Sequence, residues 1–135
     1  MRGGCFALCR GGQWAAESCQ VAALSASSTH TCFVTSTGRL ACWGANDKAQ
    51  LGDGTFVNRT VPVWSPYVTD GVDVTVGFGY TCVVRANGRV VCWGDNTNGQ
   101  LGDGSVELRT SPVEVKDITD AVAVRGREGH VCALR

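Results

Sequence analysis

The sequence contains one 25-residue segment twice. Residues 30–54 (HTCFVTSTGRLACWGANDKAQLGDG) and residues 80–104 (YTCVVRANGRVVCWGDNTNGQLGDG) align without a gap at an offset of 50 positions. The offset extends beyond the segment, because the Arg-Thr pair that begins at Arg59 recurs at Arg109. A fixed period of this length indicates a repeat protein, in which each unit completes its core against its neighbours.

The shared pattern reads C-x-x-x-x-x-G-x-x-x-C-W-G-x-N-x-x-x-Q-L-G-D-G, followed by R-T-x-P. It resembles the regulator of chromosome condensation repeat in its cysteine-bearing bacterial form, over residues 21–135. Two positions depart from the pattern: Ala49 stands where the other copy has Gly99, and Tyr80 replaces the histidine of the other units. Proteins of this family are usually seven-bladed β-propellers with one four-stranded blade per repeat. The resemblance therefore implies an all-β fold of antiparallel four-stranded blades, in which two full blades form a sector of such a ring.

The period divides the chain into two complete units and two partial segments. We expect the complete units near residues 21–70 and 71–120, and a truncated third unit from 121, where His130-Val131-Cys132 repeats the start of the motif. Residues 1–20 keep no register with the repeat, and we interpret them as an irregular leader or the remnant of a degenerate blade. Because the third unit stops within the motif, we expect the chain to be a fragment of a larger propeller.

Short runs rich in β-branched residues recur in each unit and predict strands. Asn87-Gly88 between alternating apolar residues is a strong hairpin signal, and Ser36-Thr37-Gly38 occupies the equivalent place. Pro62 confines the last strand of its unit to a sheet edge or a strand start. No apolar set has helical spacing, so we expect about four strands per unit and no helix. The predicted strands are 21–26, 31–35, 39–43 and 61–64 in the first unit, 72–76, 81–85 and 89–93 in the second, and 121–125 in the third.

Each predicted hairpin carries a cysteine on both arms. A three-residue loop that ends in Gly38, with this glycine in the left-handed conformation, places Cys32 opposite Cys42, and the second hairpin places Cys82 opposite Cys92. Directly opposite residues in a non-hydrogen-bonded pair lie about 4.5 Å apart at Cα, within the range of a disulfide. We therefore predict two structural cross-strand disulfides. The alternative is two pairs of reduced, buried thiols.

Disulfides are rare in the cytosol, so the predicted pairs favour an extracytoplasmic location, either secreted, periplasmic or at the cell surface. The alternative is a cytoplasmic protein with reduced cysteines. Cys132 has no partner at the same spacing, because that position would lie beyond Arg135. The sequence does not assign a pairing to Cys5, Cys9 and Cys19.

Metal binding is the competing use of these side chains. His30, Cys32 and Cys42 offer three zinc ligands in one hairpin, but Tyr80 replaces the histidine in the second hairpin. The closely spaced cysteine pairs that are typical of structural zinc sites are also missing. Residues 94–99 have the composition of a calcium loop, but the loop begins with glycine and lacks the glutamate at its end. We expect neither a metal nor another cofactor.

The remaining motif residues are assigned to packing and turns. Asparagine and glycine suit turns because they tolerate positive φ, and the aspartates flanked by glycines are expected to satisfy backbone donors. Trp43 and Trp93 are expected to pack between blades, and the alternative is a tryptophan that stacks on a ligand. Asn58-Arg59-Thr60 matches a glycosylation sequon. The predicted packing and turn residues are Trp43, Gly44, Gln50, Leu51, Gly52, Asp53, Gly54, Trp93, Gly94, Gln100, Leu101, Gly102, Asp103 and Gly104.

Composition and motifs narrow the classes of function. The charge is balanced, with 12 basic and 12 acidic residues, which does not favour a nucleic-acid partner. No apolar run approaches the about 20 residues that a membrane helix needs, so no membrane span is expected. There is no nucleophile elbow and no phosphate loop, and the two histidines occupy equivalent repeat positions. We expect a protein that is not an enzyme.

Three functions are consistent with these observations. The first is a non-catalytic scaffold whose loops bind a protein or glycan outside the cytoplasm. The second, implied by the resemblance, is guanine-nucleotide exchange on a small Ran-type GTPase. The two repeat intervals are equal in length, however, so neither carries the extra protruding segment that the exchange factor uses. The third is an inactive fragment whose uncovered faces contact further blades of a parent chain or self-associate.

Overall fold

The computed structural model describes residues 20–135, and within this range it contains ten strands and no helix. No helix that could cross a membrane is therefore found in the described part of the chain. The predictions for residues 1–19, including the pairing of Cys5, Cys9 and Cys19, lie outside the described residues. The strands are β1 (Val21–Ala26), β2 (His30–Thr35), β3 (Leu40–Gly44), β4 (Arg59–Trp64), β5 (Gly71–Val76), β6 (Tyr80–Arg85), β7 (Val90–Gly94), β8 (Arg109–Glu114), β9 (Ala123–Arg127) and β10 (His130–Leu134).

The strands form two four-stranded antiparallel sheets and one two-stranded sheet. The order is β1-β2-β3-β4 in the first sheet and β5-β6-β7-β8 in the second, and β9 pairs with β10. The predicted all-β fold with antiparallel four-stranded units is confirmed. β4 is an edge strand, which accommodates Pro62 because proline cannot donate to a hydrogen-bond ladder.

Tight turns between β2 and β3, and between β6 and β7, set the register of each four-stranded sheet. Gly38 and Gly88 end these turns with φ of 89° and 82°, in the left-handed region where a side chain would be strained. Cys32 then lies opposite Cys42, and the second sheet has the equivalent register. The observed register is the one that a three-residue loop predicts.

The first strand of the third unit differs from its prediction of 121–125. β9 begins at Ala123 and runs to Arg127. It continues to this point because it closes on β10 through a two-residue turn, with Arg127 opposite His130. Ala121 is not part of the ladder, and its N–H donates to the carbonyl of Gly88 in the neighbouring sheet.

Neighbouring sheets pack with their first strands side by side, so that β1 contacts β5 and β5 contacts β9. Val76 N donates to Ser25 Oγ at 3.1 Å, and Gly126 N donates to Thr75 Oγ1 at 2.8 Å. Both bonds join residues 51 positions apart, so the contact recurs with the repeat. One apolar cluster fills the space between the first two sheets and a second lies between the second sheet and β9. Each unit therefore buries its core against the next one.

The connections of each antiparallel sheet emerge at two ends. The β1–β2 and β3–β4 connections share one end, since Gly44 at the end of β3 pairs with His30 and with Arg59. We call this the long-loop end, because the β3–β4 connection is the longest of the unit. The opposite end, with the β2–β3 turn, is called the short-turn end. The tips at the long-loop end are residues 28–29, 55–58, 78–79, 105–108 and 128–129.

Candidate functional site

The cysteine pairs lie where the hairpin register predicts them. The Sγ atoms of Cys32 and Cys42 are 2.17 Å apart, and those of Cys82 and Cys92 are 2.14 Å apart. Both pairs have a Cα–Cα separation of 4.1 Å and are fully buried. Both are therefore at disulfide distance. Cys132 is exposed and has no disulfide partner among residues 20–135.

His30 is buried and joins the first sheet to the second. Its Nε2 atom lies 2.8 Å from Thr81 Oγ1, and its Nδ1 atom lies 2.9 Å from Thr29 Oγ1. Burial lowers the pKa of His30 to about 4, which keeps the ring neutral at neutral pH. Tyr80 takes the equivalent place in the second sheet, and its hydroxyl donates to the carbonyl of His130 at 2.6 Å. Both nitrogens of His30 are engaged in these bonds, and no group of three metal-ligating side chains occurs within residues 20–135.

The Gln-Leu-Gly sequence of the first unit inserts between the two sheets. Gln50 O accepts hydrogen bonds from Thr81 Oγ1 at 2.6 Å and from Trp93 Nε1 at 3.0 Å. Gly52, with φ of 64°, lies against the Trp93 ring, and a Cβ atom here would approach ring atoms to 2.8 Å. Leu51 and Trp93 are fully buried in the same cluster. The repeated Gln-Leu-Gly sequence therefore forms, in the first unit, the surface against which the tryptophan of the next unit packs.

Trp43 occupies the equivalent place in the first sheet, but on the face turned away from the second sheet. It is half-buried, and its ring packs edge-on against Phe33 with centroids 6.2 Å apart. Phe33 also packs against Trp64, and the Arg39 guanidinium lies 3.9 Å above the Trp64 ring. The two tryptophans of the motif thus have different environments, and only Trp93 lies between two described sheets.

A hydrogen-bond network organises the β3–β4 loop. Asn46 Nδ2 donates to Asp53 Oδ1 at 3.1 Å and to the carbonyl oxygens of Thr55 at 2.9 Å and Val57 at 3.1 Å. Asp53 also forms an ion pair with Arg59, with Nε and Oδ2 2.9 Å apart. Burial by itself raises the pKa of Asp53, but the hydrogen bonds from Thr55, Arg59 and Asn46 outweigh it, so the pKa is lowered.

The β7–β8 loop has the same network. Asn96 Nδ2 donates to Asp103 Oδ1 at 3.2 Å and to the carbonyl of Ser105 at 3.1 Å, and Asp103 pairs with Arg109 at 2.7 Å. Burial raises the pKa of Asp103, but the hydrogen bonds from Ser105, Arg109 and Asn96 outweigh this effect and lower it to about 2. The Asn-Asp-Arg network is therefore a repeated device that fixes the loop.

The tips held by these networks are exposed, and they differ between the two units. Phe56 and Val57 of the first unit are 56% and 57% exposed, and Val106 of the second unit is 66% exposed. The tip sequences are Thr-Phe-Val-Asn in residues 55–58 and Ser-Val-Glu-Leu in residues 105–108. A constant network thus presents variable, partly apolar side chains at the long-loop end.

A cavity of about 520 Å³ also opens at the long-loop end. Its lining includes the tip residues Ser28, Phe78 and Glu128. The β7–β8 loop supplies Asp95 and Gln100, and Gln100 Nε2 donates to Asp95 Oδ2 at 2.9 Å. The wall of the cavity therefore combines an aromatic ring with carboxylates and amides.

The structure brings the predicted site residues to three places. The cysteines lie within the sheets, the Gln-Leu-Gly residues lie on the sheet faces, and Asp53 and Asp103 lie at the base of the loops. The roles assigned to these residues in packing and turns stay predictions that substitution can test. The predicted turn glycines all have positive φ, which is 117° at Gly44, 64° at Gly52, 81° at Gly54, 102° at Gly94, 65° at Gly102 and 85° at Gly104.

Sequence reasoning missed two features of this site. The preference of asparagine for turns does not indicate that Asn46 bridges three residues across the loop. No role was given to Arg59, although its recurrence as Arg109 together with Asp53 and Asp103 was a usable signal for an ion pair. The contacts between units, such as that of Thr81, had no such signal.

Several solved structures share this architecture, and three of them illustrate the similarity. Human WBSCR16 has a TM-score of 0.72 and 22% identity, over 84% of this chain and 30% of its own length. Prp20p from Saccharomyces cerevisiae has a TM-score of 0.68 and 18% identity, over 82% of this chain and 30% of its own length. Yeast RCC1 (Prp20) in its complex with Kap60 has a TM-score of 0.71 and 20% identity, over 84% of this chain and 27% of its own length. At these identities the similarity concerns the fold, and the chain spans less than a third of the length of each neighbour.

The sequence of the repeat defines the family. Comparison with curated protein sequences gives no significant match. The sequence model described as "Regulator of chromosome condensation (RCC1) repeat" matches residues 37–84 and 87–134, and a second model of the same repeat matches residues 21–50 and 72–100. The first model runs from the third strand of one sheet to the second strand of the next. Because these matches cover more than half of the sequence, the chain belongs to the regulator of chromosome condensation (RCC1) repeat family.

Proposed function

We propose that this chain is a non-catalytic module that binds a protein partner through its long-loop end, in an oxidising compartment outside the cytoplasm. The observation that carries the proposal is the contrast within the β3–β4 and β7–β8 loops. The Asn-Asp-Arg network is the same in both loops, whereas the tips at residues 55–58 and 105–108 differ in sequence and expose apolar side chains. Fixed loops with exposed, variable tips are typical of binding surfaces on rigid scaffolds.

The cysteine pairs support the location. Both pairs are buried and at disulfide distance, and disulfides persist in secreted, periplasmic and surface proteins rather than in the cytosol. The balanced charge supports a protein rather than a nucleic acid as the partner.

The similar structures agree with a protein-binding role at the level of class. The Prp20p structure was described together with its binding properties to Gsp1p and histones, and the related yeast RCC1 was solved bound to Kap60. These partners belong to those proteins, which are more than three times as long as the matched region. For this chain we propose only the class of partner, a protein.

The test uses the extracytoplasmic fraction of the source organism. Proteins captured by the chain are identified, the leading candidate is purified, and its affinity is measured by calorimetry. The variant Phe56→Ser, Val57→Ser, Val106→Ser should weaken binding by about tenfold or more, because buried apolar anchors dominate interface energies.

The matched control lies at the short-turn end. Val72 and Val122 are also exposed, at 48% and 63%, and the variant Val72→Ser, Val122→Ser should bind with unchanged affinity. Equal affinity of the wild type, the triple variant and this control variant for the partner would contradict the assignment of the binding face. If this chain accelerates nucleotide release from a Ran-type GTPase, and if all its cysteines are reduced in the native protein, an exchange-factor function would replace the proposal.

A further inference from the structure

The residues that precede the described range contain part of the repeat, at an offset other than 50. Residues 2–14 (RGGCFALCRGGQW) align without a gap with residues 39–51 (RLACWGANDKAQL) and 89–101 (RVVCWGDNTNGQL). All three segments have the arginine, the cysteine, an aromatic residue after it and, eight positions after the cysteine, the glutamine. In the described units this stretch is the third strand and the start of the loop that contacts the next sheet.

The structure gives a physical reason for the recurring positions of the loop. Gln50 Oε1 accepts from Lys48 N at 2.8 Å, and the second unit has the same bond, so the glutamine fixes a tight loop. The residue before the glutamine has positive φ, which is 58° at Ala49 and 70° at Gly99. Gly12 suits this conformation because it has no Cβ atom. Residues 2–14 therefore retain the residues that shape this loop, although the asparagine of the loop network does not recur.

The side of the first sheet that is turned away from the second sheet offers the groups that receive such a loop. In the second sheet, Thr81 and Trp93 donate to Gln50 O. Thr31 and Trp43 hold the equivalent positions in the first sheet, and within residues 20–135 neither the hydroxyl nor the indole N–H has an acceptor. We call this side the outer face, and its side chains are those of Thr31, Phe33, Ala41 and Trp43.

The outer face is as buried as a face between two sheets. Phe33 and Ala41 are 3% and 0% exposed. Their equivalents Val83 and Val91 lie between the first and second sheets and are 0% and 4% exposed. No sheet within residues 20–135 packs on the outer face. Trp43 is only half-buried, so the cover is incomplete at that position.

The chain before residue 20 approaches the first sheet from a place that is compatible with this packing. Ser36 N donates to Gln20 O at 2.7 Å, and the second unit has the same bond one repeat later. Gln13 lies seven positions before Gln20, and seven residues of extended chain reach up to about 23 Å. The five positions from Thr31 to Ser36 along β2 span about 17 Å. The connection is therefore long enough to reach the outer face without a fourth strand.

We propose that residues 2–14 pack on the outer face of the first sheet of the same chain, with Gln13 and Trp14 against Thr31, Phe33 and Trp43. The segment is the third strand and loop of a shortened unit, and it takes the place that residues 39–51 have on the second sheet. The packing closes the apolar face of the first sheet. It does not depend on the proposed binding function, because the outer face is not part of the long-loop end.

The first experiment measures nuclear Overhauser contacts in the full chain. Contacts are expected between the ring of Trp14 and the side chains of Phe33 and Ala41, because the equivalent Leu51 belongs to the apolar cluster between the first two sheets. A mixture of labelled and unlabelled chains separates contacts within one chain from contacts between two chains. Contacts between chains alone would assign the outer face to a second copy, and the absence of both kinds of contact would leave the segment undocked. Either result would overturn the proposal.

The second experiment measures how far a soluble paramagnetic agent reaches the outer face. In the double variant Gln13→Ala, Trp14→Asp, relaxation of the Ala41 methyl group should increase at least about threefold, because the agent cannot enter a close-packed interior. The Val91 methyl group, between the first two sheets, should be unchanged and reports that the variant is folded.

The matched control is Arg10→Ala, in the same segment at a position where the two complete units have different residues. Its Ala41 methyl group should relax as in the wild type. Unchanged relaxation in the double variant, or an equal increase in Arg10→Ala, would contradict the docking of Gln13 and Trp14. If the double variant does not fold, the contacts measured in the wild type decide.

Discussion

The imidazole Nε2 atom of His30 lies 2.8 Å from the hydroxyl of Thr81, and this bond crosses the boundary between the first and second sheets. Thr81 Oγ1 also donates to Gln50 O at 2.6 Å. The hydroxyl of Thr81, in the second sheet, therefore bonds both to the histidine and to the β3–β4 loop of the first unit. Because all three groups are buried, their hydrogen bonds are costly to lose. The packing of the units therefore depends on polar contacts as well as on the apolar clusters.

Protonation of His30 should weaken the fold. Its pKa is about 4 in the folded state against 6.5 ordinarily, so the unfolded chain binds the proton first as pH falls. The contribution of neutral His30 to the free energy of unfolding is fully present above pH 6.5 and is lost between pH 6.5 and about 4. It amounts to roughly 3 kcal/mol. Urea unfolding of the wild type and of His30→Gln between pH 7 and pH 4.5 measures it.

The control for this prediction is His130→Gln, which removes the other histidine at an exposed equivalent position. It should retain the pH dependence of the wild type, whereas His30→Gln should lose most of it. The same slope in His30→Gln and in the wild type would contradict the assignment to His30.

The two motif tryptophans should differ in their contribution to stability. Trp93→Phe removes the buried bond from Nε1 to Gln50 O and part of the ring packing, and it should lower the free energy of unfolding by about 1–3 kcal/mol. Trp43→Phe should cost less than half as much, since Trp43 is half-buried on the face turned away from the second sheet. Chemical denaturation of both variants decides this, and a larger loss for Trp43 would refute the placement of Trp93 between the units.

A disulfide stabilises a fold because it closes a loop and so restricts the unfolded chain. Removing one cysteine pair should therefore destabilise this protein. Cys32 and Cys42 are 10 positions apart, and a loop of this length gives about 2–3 kcal/mol in the chain-entropy estimate. The double variant Cys32→Ala, Cys42→Ala should therefore lose about that amount. Cys132→Ala is the control, because Cys132 is exposed and has no disulfide partner within residues 20–135, and it should change the stability by less than about 0.5 kcal/mol.

Alkylation of the protein isolated from its source tests the same pairs directly. Without reduction, Cys32, Cys42, Cys82 and Cys92 should remain unmodified after unfolding and alkylation, while they react fully after reduction. Modification of all four cysteines before reduction would contradict both the disulfides and the oxidising compartment.

The Asn-Asp-Arg network should support the loop at neutral pH. Asp103→Asn removes the acceptor of Arg109 and should cost about 1–3 kcal/mol, since the side chain is buried. The pKa of Asp103 is about 2 against 3.8 ordinarily, so the stabilisation is present above pH 3.8 and is lost as pH falls toward 2. Asp117→Asn, at an exposed position, is the control and should be nearly neutral. Equal stabilities of the two variants would show that the network does not support the loop.

Local sequence signals were sufficient for the hairpins. Gly38 and Gly88 end tight turns, and counting outward from them gives the pairing of Cys32 with Cys42 without any knowledge of the rest of the fold. Pro62 predicts either an edge strand or a strand start, because a missing N–H is a local property, and the strand that contains it lies at a sheet edge.

Contacts between units could not be predicted in the same way. The bonds of Thr81 to His30 and of Trp93 to Gln50 depend on the relative placement of two sheets, which no local spacing encodes. The same holds for the cavity, since Ser28, Phe78 and Glu128 are equivalent by sequence but meet only when three units pack together. Only the period of 50 positions indicated that such equivalent contacts would exist.

The most direct test of the binding face is hydrogen exchange of the chain alone and in complex with its purified partner. We expect the partner to slow exchange at the long-loop end, in residues 55–58, 78–79 and 105–108, and to leave exchange in the short turns at residues 36–38 and 86–88 unchanged. Protection confined to the short turns, or no protection at the long-loop end in a saturated complex, would contradict the proposal that this end binds the partner.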